Sequence, residues 1–385
     1  MGNIKPIKYE LRHFDTPLII FSATNTSREP EVEICWITDT HKDLLPLGLE
    51  VTNEGIANWL KHRVIPKNRA FVEDLLTNCG LSINRPMNII NISKGLSVND
   101  CYWVVEENFN GKFKDYNLYD NKFNRALALI AFTGYGSYTR SSLKSCPEFT
   151  TNGMLPKCWR RINGKIYLYK GGTSGFSNTG CEPYSEFLAP QIAKKLGINA
   201  IDYGLSMWKG ILCSTCELFT NKDISFVPIG KIVQKGGFEA VERYYKQLGP
   251  AFEKAFNDML VFDAIICNTD RHYGNFGLLV DSKTNKIVSP APLFDHGNSL
   301  FNFAGDQYLE TEDLLTKYAD SREPATYDNF IKTAKEHLDS DLKNKLRKLL
   351  NFHFKKHSRY NLDNERMIKI EHQIQRRAKL LLYTE

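Results

Sequence analysis

Apolar positions come in short runs over the first forty residues and at helical spacing over the last hundred and fifty. Residues 3 to 37 read as strands. Ile19 to Phe21 and Val32 to Trp36 are short apolar segments parted by the turn-rich stretch Thr24 to Pro30. Helical spacing then begins. Asn53 is placed to cap a helix reaching Lys61, with Ile56, Trp59 and Leu60 on one face. A second helix is expected from about Asn68 to Asn78, carrying Phe71, Leu75 and Leu76 inward and ending at Gly80. Asn88 to Ser93 and Tyr102 to Val105 read as strands, and Asn124 to Phe132 as a helix. Gly, Ser and Thr concentrate between Gly134 and Ser142, which suggests a boundary there.

Beyond it, Asn163-Gly164 signals a tight turn into the strand Lys165 to Lys170. Period two puts Ile166, Leu168 and Lys170 on one face of that strand. A helix over Pro183 to Leu196 follows, with Phe187, Ile192 and Leu196 as its inner side, Gly197 as its cap and Pro190 inside it. Ile201 to Tyr203, Ser206 to Trp208 and Ile211 to Phe219 read as strands. Ala251 to Ile266 reads as a long apolar helix, and Phe276 to Val280 with Lys286 to Ser289 as a hairpin. Two amphipathic helices close the chain, one with Leu342, Leu346, Leu349 and Leu350, the other with Met367, Ile370, Ile374, Ala378 and Leu381. The pattern thus divides into an N-terminal α/β region (1–135), a strand-rich segment (136–220) and a mostly helical segment (221–385).

The chemistry gathers between the long helix and the hairpin, in Asn268-Thr269-Asp270-Arg271-His272-Tyr273-Gly274-Asn275. An Asp, an Asn five residues on, and a later Asp before Gly (Asp295, in Phe294-Asp295-His296-Gly297) are the polar equipment of a kinase active site. In that reading Asp270 accepts the proton of the attacking hydroxyl. Asn275 and Asp295 offer the hard oxygen ligands that suit Mg2+ on the phosphates of ATP. His272 is a candidate either to hydrogen-bond the phosphates or to brace the loop. Upstream, Gly153 to Lys157 is a candidate phosphate-covering loop and stands just before the Lys170 strand. If the Lys170 face is buried its ammonium needs an anion, and a nucleotide phosphate would serve. Glu186 is suited to orient Lys170 or to sit on a solvated helix face. Asp263, seven residues before Asp270, is suited either to brace the loop or to face solvent. A Lys strand, a Glu helix and further strands ahead of an Asp loop follow the order of a kinase N-lobe and C-lobe. The expected class is therefore α+β, a protein-kinase-like bilobal fold with a mixed α/β N-lobe and a mostly helical C-lobe.

Composition narrows the alternatives. Of 385 residues, 42% are hydrophobic and 24% charged, ordinary globular values. A net charge of +6 is too weak by itself to argue for nucleic acid. The basic residues near the C-terminus are interspersed with acidic ones, as on a solvated helix face. The nine Cys include the lone pair Cys213 and Cys216, which lacks the second pair a zinc site would want. No secretory signal or membrane-spanning run stands out. The chain reads as a soluble cytoplasmic protein with reduced thiols, with no membrane and no direct nucleic-acid partner.

These residues resemble the HipA-like kinase family. The resemblance covers about residues 140 to 380. It rests on Gly153-x-x-Pro156-Lys157 with Trp159 close behind, Lys170 ending Tyr-Leu-Tyr-Lys, and Ser185-Glu186-Phe187 leading to Leu196-Gly197. Glu217-Leu218-Phe219, the Asn268 to Asn275 loop and Phe294-Asp295-His296-Gly297 complete it. It implies ATP-dependent phosphorylation of Ser or Thr on a protein, with Asp270 as base, Asn275 and Asp295 on magnesium and Lys170 on phosphate. Glu217 to Phe219 would be the hinge that reads adenine through its backbone. The family includes toxins partnered by a small DNA-binding antitoxin, some of which phosphorylate themselves in the Gly loop, where Thr150 and Thr151 lie here. The first 130 residues match its best-known members poorly. A small-molecule kinase of the same fold, and a catalytically silent scaffold or repressor subunit reaching nucleic acid through a partner, are the competing readings.

Overall fold

Eleven strands are formed by the described residues, which are 6–24, 29–137, 146–174 and 180–383 of the computed structural model. In chain order they are β1 (Ile7–His13), β2 (Thr16–Ala23), β3 (Val32–Ile37), β4 (Tyr102–Glu106), β5 (Lys157–Ile162), β6 (Lys165–Gly171), β7 (Gly204–Trp208), β8 (Ile211–Glu217), β9 (Ile224–Pro228), β10 (Gly277–Asp281) and β11 (Ile287–Pro290). The chain forms two compact units that do not follow sequence order. Residues 1–170 belong with 217–227 and 279–288, and the remaining segments form the second unit. The boundary expected at Gly134 to Ser142 falls partly on residues outside the described ones.

In the first unit β3-β2-β1-β4 make an antiparallel sheet. β4 is buried on both faces, and its alternation serves two cores. Tyr102 and Val104 join Leu11, Phe21, Ile56, Leu60, Leu75 and Leu127 on one side. Trp103 and Val105 join Phe113, Leu118, Trp159 and Ile166 on the other. β5 and β6 form an antiparallel hairpin through Asn163 and Gly164, at φ 49° and 81°. Both central residues have the positive φ that a tight hairpin turn demands, as the Asn-Gly pair predicts.

Four expectations about local structure need correction. Asn88 to Ser93 lies in a helix, Pro86–Ser93, not a strand. Pro86 occupies the first turn, where its missing N–H costs nothing, and the run Met87, Ile89, Ile90 is buried at helical spacing. The helix expected from Asn68 starts only at Val72, because Phe71 holds a left-handed conformation at φ 59°. The first helix is capped by Thr52, whose hydroxyl accepts the Gly55 N–H, while the Asn53 side chain accepts the Ile34 N–H. Ile201 to Tyr203 is not a strand; its backbone bonding is Ile201 N–H to the Leu293 carbonyl, beside an isolated bridge at Ala200.

The second unit is built around the helix Pro250–Ile266, whose residues from Met259 to Ile266 are all buried. A helix apolar on every side must be surrounded. Helices Glu182–Leu196, Gly237–Leu248, Phe330–Glu336 and Asn364–Tyr383 pack against it. Among the described residues no helix is long and apolar enough to cross a membrane.

Candidate active site

The central helix ends at Cys267, which takes φ 53° and turns the chain into the Asn268 to Asn275 loop. Asp263, fully buried in the last turn of the helix, organises that loop. Its carboxylate accepts the Asn268 amide at 3.1 Å and the Arg271 guanidinium at 2.9 and 3.0 Å. Arg271 is 1% exposed. Burial disfavours its charge, but Asp263 more than reverses that, and the guanidinium pKa lies above its ordinary value. The rest of the fork is then fixed. One terminal nitrogen donates to the Asn275 carbonyl at 3.0 Å and to the Phe294 carbonyl at 2.5 Å; the other meets His296 Nδ1 at 3.1 Å. Arg271 has only donors, so His296 Nδ1 is an acceptor. A single guanidinium therefore holds Asn275 beside the residue that precedes Asp295.

Asp270 is half-buried in the same cluster. Its Oδ2 accepts the Asn298 side-chain amide at 2.9 Å, and its N–H donates to Asn268 Oδ1. The Asn275 Nδ2 donates to the Asp270 carbonyl at 3.1 Å, which turns the amide oxygen of Asn275 away from that carbonyl. Asp295 has φ 58°, and its N–H donates to the Tyr203 hydroxyl. His272 is exposed, and its Nδ1 accepts the Gly274 N–H, so in this conformation it braces the loop. Glu186 is buried on the helix Glu182–Leu196 and accepts the His296 N–H at 2.8 Å, next to Asp295. A solvated helix face is thereby excluded for Glu186, as it is for Asp263.

The donor set suits a hard cation. Asn275 and Asp295 offer an amide and a carboxylate oxygen, a partial shell of the kind that Mg2+ completes with phosphate oxygens and water. Among the described residues no group of three or more His, Cys, Asp or Glu is arranged to hold a metal without such help.

The remaining candidates lie in the first unit. Lys157 and Lys170 are direct cross-strand partners on β5 and β6, so they share a face, and both are buried. Lys157 Nζ donates to the Asn152 carbonyl at 2.9 Å. Gly153 has φ 91°, a left-handed conformation that other residues rarely adopt, so a side chain there would be strained. Glu217 points outward and pairs with Lys165 at 2.7 Å. The Leu218 N–H between Glu217 and Phe219 donates to the Ile166 carbonyl, and Phe219 packs edge-on against Phe226. Thr150 is buried and donates to the Leu96 carbonyl at 2.7 Å; Thr151 donates to the Pro147 carbonyl at 2.6 Å and accepts the Trp159 indole N–H. Sequence reasoning passed over Arg271, Asn298, His296 and Tyr203. The signal for Arg271 was present, since an Arg eight residues after a carboxylate in an apolar helix needs a buried partner.

Over nearly its whole length the structure matches HipA of Shewanella oneidensis MR-1, solved with HipB and operator DNA. The TM-score is 0.58 and the identity 13%, with 96% of each chain covered. The chain has the HipA-like kinase fold. It is the α+β, protein-kinase-like class that the element order predicts, and the match includes the N-terminal region. In sequence, 141 residues are 28% identical to the serine/threonine-protein kinase CtkA of Helicobacter pylori. That match takes in 33% of this chain and spans 42% of the length of that relative. The crystal structure of CtkA aligns with a TM-score of 0.47 at 18% identity, covering 59% of this chain and 92% of that one. No protein-family model matches the chain.

Proposed function

We propose that this HipA-like chain is an ATP- and magnesium-dependent kinase acting on a Ser or Thr hydroxyl of a protein. The observation that carries the proposal is the Arg271 clamp, which gathers the Asp270, Asn275 and Asp295 loops into one cluster. Asp270 has one carboxylate oxygen engaged by Asn298, which orients the group; its Oδ1 takes the proton of the acceptor hydroxyl. The hydroxyl oxygen forms a bond to the γ-phosphorus as the bond to the β–γ bridging oxygen breaks, and ADP leaves with that electron pair. Asn275 and Asp295 hold the magnesium, which when bound neutralises charge on the phosphates. Within the first unit, Lys157 and Lys170 are buried cross-strand partners on β5 and β6, and their positive charges suit a phosphate. By analogy with the solved HipA complex, a small DNA-binding protein is the proposed partner.

The test is transfer of label from γ-labelled ATP with magnesium, for the protein alone and with cell lysate. Wild type should label protein bands, and Asp270→Asn should not. Equal labelling by the two proteins overturns the assignment of Asp270, and label only in the small-molecule fraction overturns the protein acceptor.

A further inference from the structure

The loop proposed to cover the phosphates is held from outside itself, by a residue of the N-terminal region. Arg69 is 2% exposed, and its guanidinium donates to three carbonyls of one short segment. These are Glu148 at 3.0 Å, Thr151 at 3.2 Å and Lys157 at 2.5 Å. The next residue continues the attachment, with the Ala70 N–H donating to the Met154 carbonyl at 2.7 Å. Four carbonyls between 148 and 157 are thus gripped by residues 69 and 70, and a fifth, that of Asn152, is taken by Lys157 Nζ.

The consequence follows from peptide geometry. In a trans peptide the C=O and the following N–H point in opposite directions. The Thr151 and Asn152 carbonyls are drawn inward to Arg69 and Lys157, so the N–H groups of Asn152 and Gly153 are turned outward. Both residues are exposed, and among the described residues neither amide donates to a protein acceptor. Two successive outward amides beside a glycine at φ 91° make the kind of concavity that binds anions.

We propose that Arg69 is a positioning residue for the nucleotide: it sets the peptide planes of 151–153 so that two backbone amides meet a phosphate. The inference rests on the kinase reading given above. Burial pulls the Arg69 guanidinium down to about 10 while Glu148 opposes the shift, so it remains a cation at neutral pH.

The experiment compares Arg69→Met and Arg69→Lys with wild type in the binding of ATP and of adenosine, which lacks phosphates. Hydrogen exchange over residues 148–157 and over β1 and β2 is followed in parallel. The expected result is an ATP dissociation constant raised about tenfold or more, the worth of one good hydrogen bond, with adenosine affinity unchanged. Exchange should speed up in 148–157 while β1 and β2 keep their protection. Arg69→Lys, which keeps the charge but not the fork, should fall between the two and serves if the Met variant does not fold. Equal weakening of ATP and adenosine, or unchanged ATP binding in a folded variant, overturns the role of Arg69 and leaves the kinase reading standing. A wild type that binds no ATP overturns both.

Discussion

Arg271 and Asp263 form an ion pair with almost no exposure on either side, at 2.9 Å. Removing one member of a buried pair leaves the other charged and unsatisfied, at a cost of about 3–5 kcal/mol. Arg271→Ala is therefore expected to lower unfolding stability by that amount in urea titrations. Arg271→Lys should recover little, because one ammonium cannot reach Asp263, Asn275, Phe294 and His296 together.

Asn298 touches the carboxylate of Asp270 rather than any ligand that we assign. Asn298→Ala is expected to lower kcat by about tenfold or more, with KM for ATP unchanged, since it loosens the proposed base without touching nucleotide contacts. Steady-state kinetics at varied ATP checks this. A rise in KM with kcat intact would assign Asn298 to nucleotide binding instead.

Thr150 is poorly placed as a phosphate acceptor in this conformation, because its hydroxyl is buried against the Leu96 carbonyl. After incubation with ATP and magnesium, mass spectrometry of the 146–157 peptide should find Thr150 unmodified. Thr150→Val should cost about 1–3 kcal/mol in stability through the acceptor it leaves unsatisfied.

Burial lowers the pKa of His13, which packs against Phe14 and Tyr102; Asp100 opposes the shift. A depressed histidine binds its proton less readily folded than unfolded. Its stabilising effect is therefore full above the ordinary value of 6.5 and fades as pH falls below it. Unfolding free energy should decline from pH 6.5 downward with a contribution of at most about 1.4 kcal/mol per pH unit from this group. His13→Gln should flatten that portion of the profile.

How much of this was legible in the sequence depends on range. The Asn163-Gly164 turn, the Asn124-capped helix and the hairpin through Asn285 were readable because local backbone preference decides them. Pro86–Ser93 was misread because Asn88, Ile89 and Ile90 suit a strand about as well as a helix, and burial against the sheet core settled it. Asp270, Asn275 and Asp295 could be named from spacing. What joins them could not, because the Arg271 contacts span up to 25 residues and the Glu186 contact with His296 spans 110. The attachment of Arg69 to the 148–157 segment was equally invisible, since no local pattern ties residues 79 to 88 positions apart.

The division of the chain into units bears on how the protein can be made. The first unit takes in residues 217–227 and 279–288, so the polypeptide passes from one unit to the other five times. A ribosome working from the N-terminus cannot release a finished first unit until residue 288 has emerged, by which time half of the second has been synthesised. Synthesis of the two units therefore overlaps instead of running in succession, unlike that of domains strung along a chain. A fragment ending at Lys170 should behave as an unfinished fold, lacking the hydrogen bonds from Thr220 to the Val98 carbonyl, from the Phe226 N–H to the Asn99 carbonyl and from Asn285 to the Asp43 and Leu45 carbonyls.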